Sequence, residues 1–321
     1  LLKNIEVSIM SEKIIMDCDP GHDDAIAMIL AGARTSHLEI LAVTTVSGNQ
    51  AVSKNTRNAL NVLDIMGKGE IPVSMGASRP LIKEPSFAEE IHGVTGLDGP
   101  KLPETPRHHA TPHHAADVII DAVKNSDEPV TIVATGPLTN IATALIRDAK
   151  IVQNIKSITI MGGGTFGNWT PTAEFNIWAD AEAAQRVFNC GARINVFGLD
   201  VTHQVLATDD IIQRFALINN DVAGFVVELL KFFKSTYKTH FDMDGGPIHD
   251  ACAILYLIKP ELFKMQHTHI AIEHHSALTY GTMSVDLNNV TDGEKNAYFA
   301  VDVNVEAIWQ VMEQLLADYN L

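Results

Sequence analysis

Cysteine, basic charge and long apolar runs are all scarce in this 321-residue chain. The three cysteines, Cys18, Cys190 and Cys252, are odd in number and far apart, so they define no disulfide framework. Lysine and arginine number 23 against 39 aspartates and glutamates, a formal net charge of −16. That balance argues against a nucleic-acid partner, whose phosphates need clustered cations. It suits a protein that attracts a cation. No apolar run approaches the ~20 residues needed to span a bilayer, so no membrane role is expected. Residues 1–10 lack the basic start and long apolar core of a signal peptide. Residues 1–12 therefore read as a leader or start-site remnant, and the chain is expected in the cytoplasm.

What is present is an ordinary globular composition, 46% hydrophobic and 19% charged, enough for a sizeable core. Apolar, β-branched runs at 14–16, 38–44, 71–73, 130–134, 157–161 and 194–199 read as strands. Helical patterns alternate with them: one from Asp23, one at 55–65, one opened by Thr111 as cap and Pro112 at the first helical position, one at 138–146, and one capped by Asp180. This rhythm predicts an α/β fold, a Rossmann-like open and mostly parallel sheet with helices on both faces. The last third holds longer helices (221–239 and 248–258), strand-like stretches at 268–272, 278–285 and 297–301, and a closing helix. No linker or repeat interrupts the chain, so 1–321 reads as one domain with an elaborated C-terminal third. The aperiodic stretch 75–111 is long for a compact domain and is expected to be functional.

The densest chemistry lies in Asp17-Cys18-Asp19-Pro20-Gly21-His22-Asp23-Asp24, four carboxylates in a strand–turn–helix context. The helix dipole accommodates Asp23 and Asp24 in its first turn. Asp17 and Asp19 have no such compensation, and four acids so close repel unless a cation intervenes. Hard cations take several oxygen ligands, typically carboxylates. The turns after the other strands should share one rim, since ligands bind beyond the carboxyl ends of parallel strands. They are Gly48-Asn49-Gln50, Thr135-Gly136-Pro137-Leu138-Thr139-Asn140, the segment from Gly162 to Asn176, and Asp200-Val201-Thr202-His203-Gln204. Carboxylates, carboxamides and a cation suit a neutral polyhydroxyl ligand. Phosphate would need the lysine or arginine that these turns nearly lack.

Further signals lie outside these turns or within them. Gly162-Gly163-Gly164-Thr165-Phe166-Gly167 matches the dinucleotide fingerprint, but Asn168-Trp169-Thr170-Pro171 follows where a helix should open, so the match is read as false. In Gly246-Pro247-Ile248-His249-Asp250, the Asp250 side chain is either a helix cap or another metal carboxylate, with His249 beside it a proton donor. His92 lies in the long loop, where a lid belongs. The histidines at 108, 109, 113 and 114 read as solvated, and Phe232, Phe233, Tyr237 and Phe241 as core before base-stacking wall.

Taken together, DCDPGHDDA (Asp17 to Ala25), VSGNQ, ATGPLTN, MGGG, AEFNIWADAEAA, GLDVTHQ and IHDAC resemble the nucleoside hydrolases, the inosine–uridine-preferring N-ribohydrolases, from Lys13 to about Trp309. The resemblance implies Ca²⁺-dependent hydrolysis of the N-glycosidic bond of ribonucleosides to free base and ribose. It implies one Ca²⁺ per chain, held by Asp19, Asp24, the Thr135 carbonyl and Asp250, with Asp17 contributing. Asp19 would also serve as general base toward the attacking water, and His249 would help protonate the base. Asp23, Asn49, Met161, Asn168, Glu174 and Asn176 would hold the ribose. His92, Tyr237, Phe241 and His249 would face the base. Homodimers or homotetramers are common in the family. Members favouring pyrimidines tend to carry tyrosine where Phe241 stands and differ at Tyr237, which leaves base preference open. Two rivals were weighed. A haloacid dehalogenase-type phosphatase shares the Asp-x-Asp but needs a Thr or Val after it and a lysine near the phosphate. A non-catalytic, metal-dependent nucleoside sensor would not need Asp19 and His249.

Overall fold

The computed structural model describes residues 11–319. The expected leader at 1–10 lies outside these residues, and Glu12, at its proposed edge, already begins the first strand. In chain order the first half runs β1 (Glu12–Cys18), α1 (His22–Gly32), β2 (Leu38–Thr45), α2 (Val52–Ile65), β3 (Val73–Met75), α3 (Glu89–His92), α4 (Ala115–Asn125), β4 (Val130–Ala134) and α5 (Thr139–Arg147). It continues with β5 (Ile155–Met161), α6 (Phe175–Ala179), α7 (Ala181–Phe188), β6 (Ile194–Phe197), α8 (Leu199–Thr202), β7 (Leu206–Ala207) and α9 (Asp209–Ala216). The rest comprises α10 (Asp221–Phe241), β8 (Gly246–Pro247), α11 (Ala251–Ile258), β9 (Phe263–Thr268), β10 (Ile270–Ile272), β11 (Met283–Val285), β12 (Ala297–Val303) and α12 (Val305–Ala317).

Eight strands form the central sheet in the order β3-β2-β1-β4-β5-β6-β12-β9. All neighbours are parallel except β12 with β9, the antiparallel edge. The order reverses between β1 and β4, and that switch point opens a crevice at the strands' carboxyl ends. Two apolar cores follow. One packs α1, α2, α10, α11 and α12 on one face of the sheet. The other packs α4, α5 and α7 on the opposite face. Both faces being covered explains why β1 and β4 carry consecutive apolar residues, Ile14 to Met16 and Ile132 to Ala134, rather than alternating ones. Among the described residues no helix is long and apolar enough to cross a membrane.

Several expected boundaries shift. Thr111 and Pro112 do not start a helix: Thr111 donates its backbone N–H to the Val73 carbonyl (2.7 Å) and pairs with Ser74, so its backbone serves the sheet edge. The helix opens at Ala115 instead, with His114 Nδ1 accepting from the Ala116 N–H at 3.2 Å. The strand expected at 71–73 lies at Val73–Met75, and the sixth strand ends at Phe197 because α8 begins at Leu199. The helix expected from 248 begins at Ala251, which frees His249 and Asp250 from the helical ladder. The glycine run enters an irregular segment before α6, as the missing helix after Gly167 required.

Candidate active site

Four strand ends supply the floor of the site. Asp23 and Asp24 lie in the first turn of α1. Asp250 sits at the start of α11, and its side chain makes no capping hydrogen bond there. It stands instead with two other acids: ligand oxygens of Asp23, Asp24 and Asp250 all lie within 4.8 Å of one another, all three residues buried, a group that could hold a metal ion. Asp24 is braced on both oxygens. Its Oδ2 accepts from the Gly21 N–H (3.0 Å) and Asn49 Nδ2 (3.2 Å), and its Oδ1 from Thr135 Oγ1 (2.8 Å).

Asp19 lies against this group, and its backbone N–H reaches Asp24 Oδ1 at 3.4 Å. Its Oδ2 accepts from the Asn49 N–H at 2.6 Å, while its Oδ1, fully buried, has no partner among the described residues. Two glycines make room for it. A Cβ on Gly48 would stand 2.0 Å from Asp19 Oδ2, and one on Gly136 2.6 Å from Oδ1. Asp17 is set apart from the cluster: its Oδ1 accepts from Thr44 Oγ1 (2.6 Å) and Asn140 Nδ2 (2.8 Å), across the sheet. The Thr135 carbonyl accepts from Asn176 Nδ2 at 2.9 Å.

Burial and mutual repulsion push these acids up. Desolvation, then the Asp24 charge, raises Asp23 to about 8. Desolvation raises Asp17 to about 7, against the hydrogen bonds from Thr44 and Asn140. Asp19 and Asp250 go well above the carboxylate range, from burial first and neighbouring aspartates second. Buried acids without a counter-charge, with Asp17 Oδ2 and Asp19 Oδ1 unpartnered among the described residues, are the kind of donor set that suits a hard divalent cation.

Above this floor lies a cavity of about 820 Å³. Asp23, Asn49, Met161, Asn168, Glu174 and Asn176, expected on the ribose, all line it. Glu174 is held as the cap of α6, accepting from the Asn176 N–H (2.9 Å), the Ile177 N–H (3.2 Å) and, from the glycine run, the Gly163 N–H (2.8 Å). Desolvation raises it to about 7 despite these bonds. Gly163 adopts a left-handed φ of 72°, which turns that N–H onto the carboxylate.

The opposite wall is aromatic. Phe233, Tyr237 and Phe241 repeat every four residues on α10, so one helix face carries them all. Tyr237 packs edge-on against Phe233 (4.8 Å) and stacks on Phe241 (5.1 Å). Phe232 is half-buried and stacks on His22 (5.1 Å), while Phe233, fully buried, lines the cavity. Tyr237 and Phe241 line the cavity with His92 and His249. Both nitrogens of His249 are engaged: Nε2 lies 2.9 Å from the Tyr237 hydroxyl and Nδ1 2.7 Å from Thr202 Oγ1. Burial holds the imidazole well below its ordinary value, so it rests neutral.

Reading the sequence did not assign Thr202, although GLDVTHQ marked its segment, nor the loop residues Pro85, Ser86 and Phe87 that close the cavity. It also passed over His22. Its position inside the acid-rich turn was the only available signal.

A sheet with its switch point beneath a carboxylate cluster, and a cavity with one acid- and amide-lined floor and one aromatic wall, fit a hydrolase acting on a sugar–base bond. The chain belongs to the inosine-uridine preferring nucleoside hydrolase family, whose model matches residues 14–310. It is 45% identical over 312 residues to a pyrimidine-specific ribonucleoside hydrolase RihA of Photobacterium profundum, covering 97% of this chain and 100% of that one. A RihA of Shewanella baltica is 47% identical over 290 residues, 90% and 91% of the two chains. Among solved structures, a plant nucleoside hydrolase, PpNRh1, superposes with a TM-score of 0.88 at 30% identity, covering 95% of this chain and 99% of that one. A purine-preferring ribonucleoside hydrolase from Gardnerella vaginalis gives the same TM-score and identity over 97% and 100%. The chain is thus a ribonucleoside N-glycosyl hydrolase, as its motifs implied.

Proposed function

We propose that this enzyme hydrolyses pyrimidine ribonucleosides, with Ca²⁺ held by Asp19, Asp24, Asp250 and the Thr135 carbonyl. The observation that carries the reading is the buried Asp23–Asp24–Asp250 group beneath a cavity whose far wall bears the His249–Tyr237 pair. The preference for pyrimidines rests on the RihA relatives. When bound, the ion supplies charge compensation for the acids and Lewis acidity toward water and the ribose hydroxyls. Asp17, bonded to Thr44 and Asn140, acts as a brace for the turn on this reading.

The chain's own groups divide the remaining work. Asp19 Oδ1, the unpartnered oxygen, takes the proton from the attacking water. Asp23, Asn49, Asn168, Glu174 and Asn176 grip the ribose hydroxyls, with Met161 beneath the ring, and pin the sugar for an oxocarbenium-like transition state. Tyr237 and His249 hold a proton at the base side, which must be delivered as the glycosidic bond breaks. Thr202 fixes the imidazole orientation. We infer further that the enzyme works in the cytoplasm and assembles as a homodimer or homotetramer.

Incubation with uridine, cytidine, inosine and adenosine, with and without a chelator, and measurement of free ribose tests all of this. Uridine or cytidine should be cleaved fastest, and chelation should stop the reaction. Faster cleavage of inosine would overturn the base preference, and full activity after metal removal would overturn the metal's role.

A further inference from the structure

Helix α2 buries three asparagines, Asn55, Asn58 and Asn61, spaced three residues apart. Asparagine is a poor residue inside a helix, and a buried amide left unpaired is costly. Each of these amides is used outside the helix, on backbone carbonyls of irregular segments. Asn55 Nδ2 donates to the carbonyls of Val46 (2.8 Å) and Gln50 (2.9 Å), both in the turn after β2. Asn61 Nδ2 donates to the Pro103 carbonyl at 3.1 Å. Asn58 joins two segments that are distant in sequence: its Nδ2 donates to the carbonyls of Pro20 (3.0 Å) and Thr95 (2.9 Å). An amide nitrogen carries two hydrogens, so both bonds are made at once.

Pro20 follows Asp19 in the acid-rich turn. Thr95 lies three residues beyond His92 in the long loop, in a tight turn closed by Asp98. The Asp98 carboxylate accepts from the N–H groups of Val94 and Thr95, both at 3.0 Å. This turn is seated on consecutive carbonyls. Gln50 Nε2 donates to Gly93 (2.8 Å), Lys54 Nζ to Val94 (2.7 Å) and Asn58 Nδ2 to Thr95. The seat is close: a Cβ on Gly96, which has a left-handed φ of 87°, would stand 2.9 Å from Asn58 Nδ2. Of the three donors, Asn58 is the one that also holds the acid-rich turn. It is 1% exposed, so no water competes for its bonds.

We propose that Asn58 is a positioning residue that sets the span between the sugar-side turn and the His92 loop, so that a ligand on the sugar side also orders the loop. The inference rests on the proposed seating of ribose over the acid-rich turn and of the base beside His92. A nucleoside joins its two halves by one bond, so an error in that span is felt by a ligand that touches both sides. Ribose, which touches one, escapes it.

Hydrogen exchange read by mass spectrometry on the Ca²⁺-loaded wild-type protein, with and without ribose, tests the coupling without any variant. Ribose should slow exchange in peptides covering 17–25 and, by at least about threefold, in those covering 93–98. Protection confined to 17–25 overturns the proposal. Asn58→Leu keeps the volume and removes both donors, and in this variant ribose should protect 17–25 only. Kinetics supply the second arm. Asn58→Leu should raise KM for uridine about tenfold with kcat within about threefold, as loss of a buried hydrogen bond on the binding side implies. The inhibition constant of ribose should stay within about twofold. A ribose constant that weakens as much as KM would show that Asn58 only supports the fold, and would overturn the proposal. A silent loop in an enzyme that cleaves uridine sinks this inference alone. Failure to cleave uridine, with ribose protecting neither segment, sinks the hydrolase reading and this inference together.

Discussion

The two sides of the cavity are built to different standards. On the sugar side the acids are buried and several are tied to backbone, as with Glu174 on three N–H groups and Asp24 on Gly21. On the base side Phe241 is 40% exposed, and His92 is carried by a four-residue helix within a long loop. The sugar side is drawn from strand ends of the regular sheet, the base side from α10 and the loop. On the function proposed above, bond breaking falls to parts fixed by the fold, and base recognition to parts that can change without disturbing it. Near-identical superpositions on a purine-preferring enzyme and on a plant nucleoside hydrolase fit that division.

Substitutions on each side should therefore differ in kind. The largest effect is expected from Asp19→Asn, which keeps the shape but removes the proton acceptor: kcat for uridine should fall about 10³-fold, with KM within a few-fold. A comparable rise in KM with kcat intact, in steady-state ribose release, would remove Asp19 from the chemistry. His249→Ala should come next, costing about 10²-fold on uridine but under about threefold on a nitrophenyl riboside, whose leaving group needs no proton. Equal losses on both would leave His249 a structural role only. Phe241→Ala should be smallest, raising KM about threefold with kcat unchanged, because the ring is already partly solvated. If it abolished turnover, the division between the two sides would collapse.

The same contrast has a pH signature in chelator-treated protein. Asp17 and Glu174 are raised to about 7 and Asp23 to about 8, chiefly by desolvation. Groups raised on folding bind protons more tightly in the native state, so their stabilisation is complete below the unfolded value, near 4, and is lost as pH rises through the folded one. Melting of the metal-free protein should drop by several degrees from about pH 5 to about pH 8, and added Ca²⁺ should recover most of it. A metal-free melting point that rises over that window would show the acids to be compensated from within the chain.

Much of the sugar side was legible in the sequence because its residues sit at fixed places in a βα rhythm. A strand-end Asp and a first-turn Asp are local facts. What stayed hidden was how the turns meet. Asp250 read equally well as a cap, and only the uncapped start of α11 beside Asp23 and Asp24 decides the matter. Thr111-Pro112 carried a good helix-start signal and lost to a sheet-edge pairing from distant Ser74. The antiparallel β9 was not foreseen, since its half-buried run has no clear period, and helix α9 was missed although Ile211, Ile212 and Phe215 stand at helical spacing. The aromatic wall was visible as spacing. Its orientation toward the cavity depends on where α10 packs, which spacing alone does not state.

Gly48 and Gly136 bear on the gene as much as on the protein. Their missing side chains are the mould in which the Asp19 carboxylate sits, at 2.0 and 2.6 Å from where a methyl would be. Any glycine codon becomes an alanine codon by one nucleotide change. Two single-nucleotide changes in such a gene would therefore dislodge Asp19 without touching it, and would leave every acid of the site in place in the sequence.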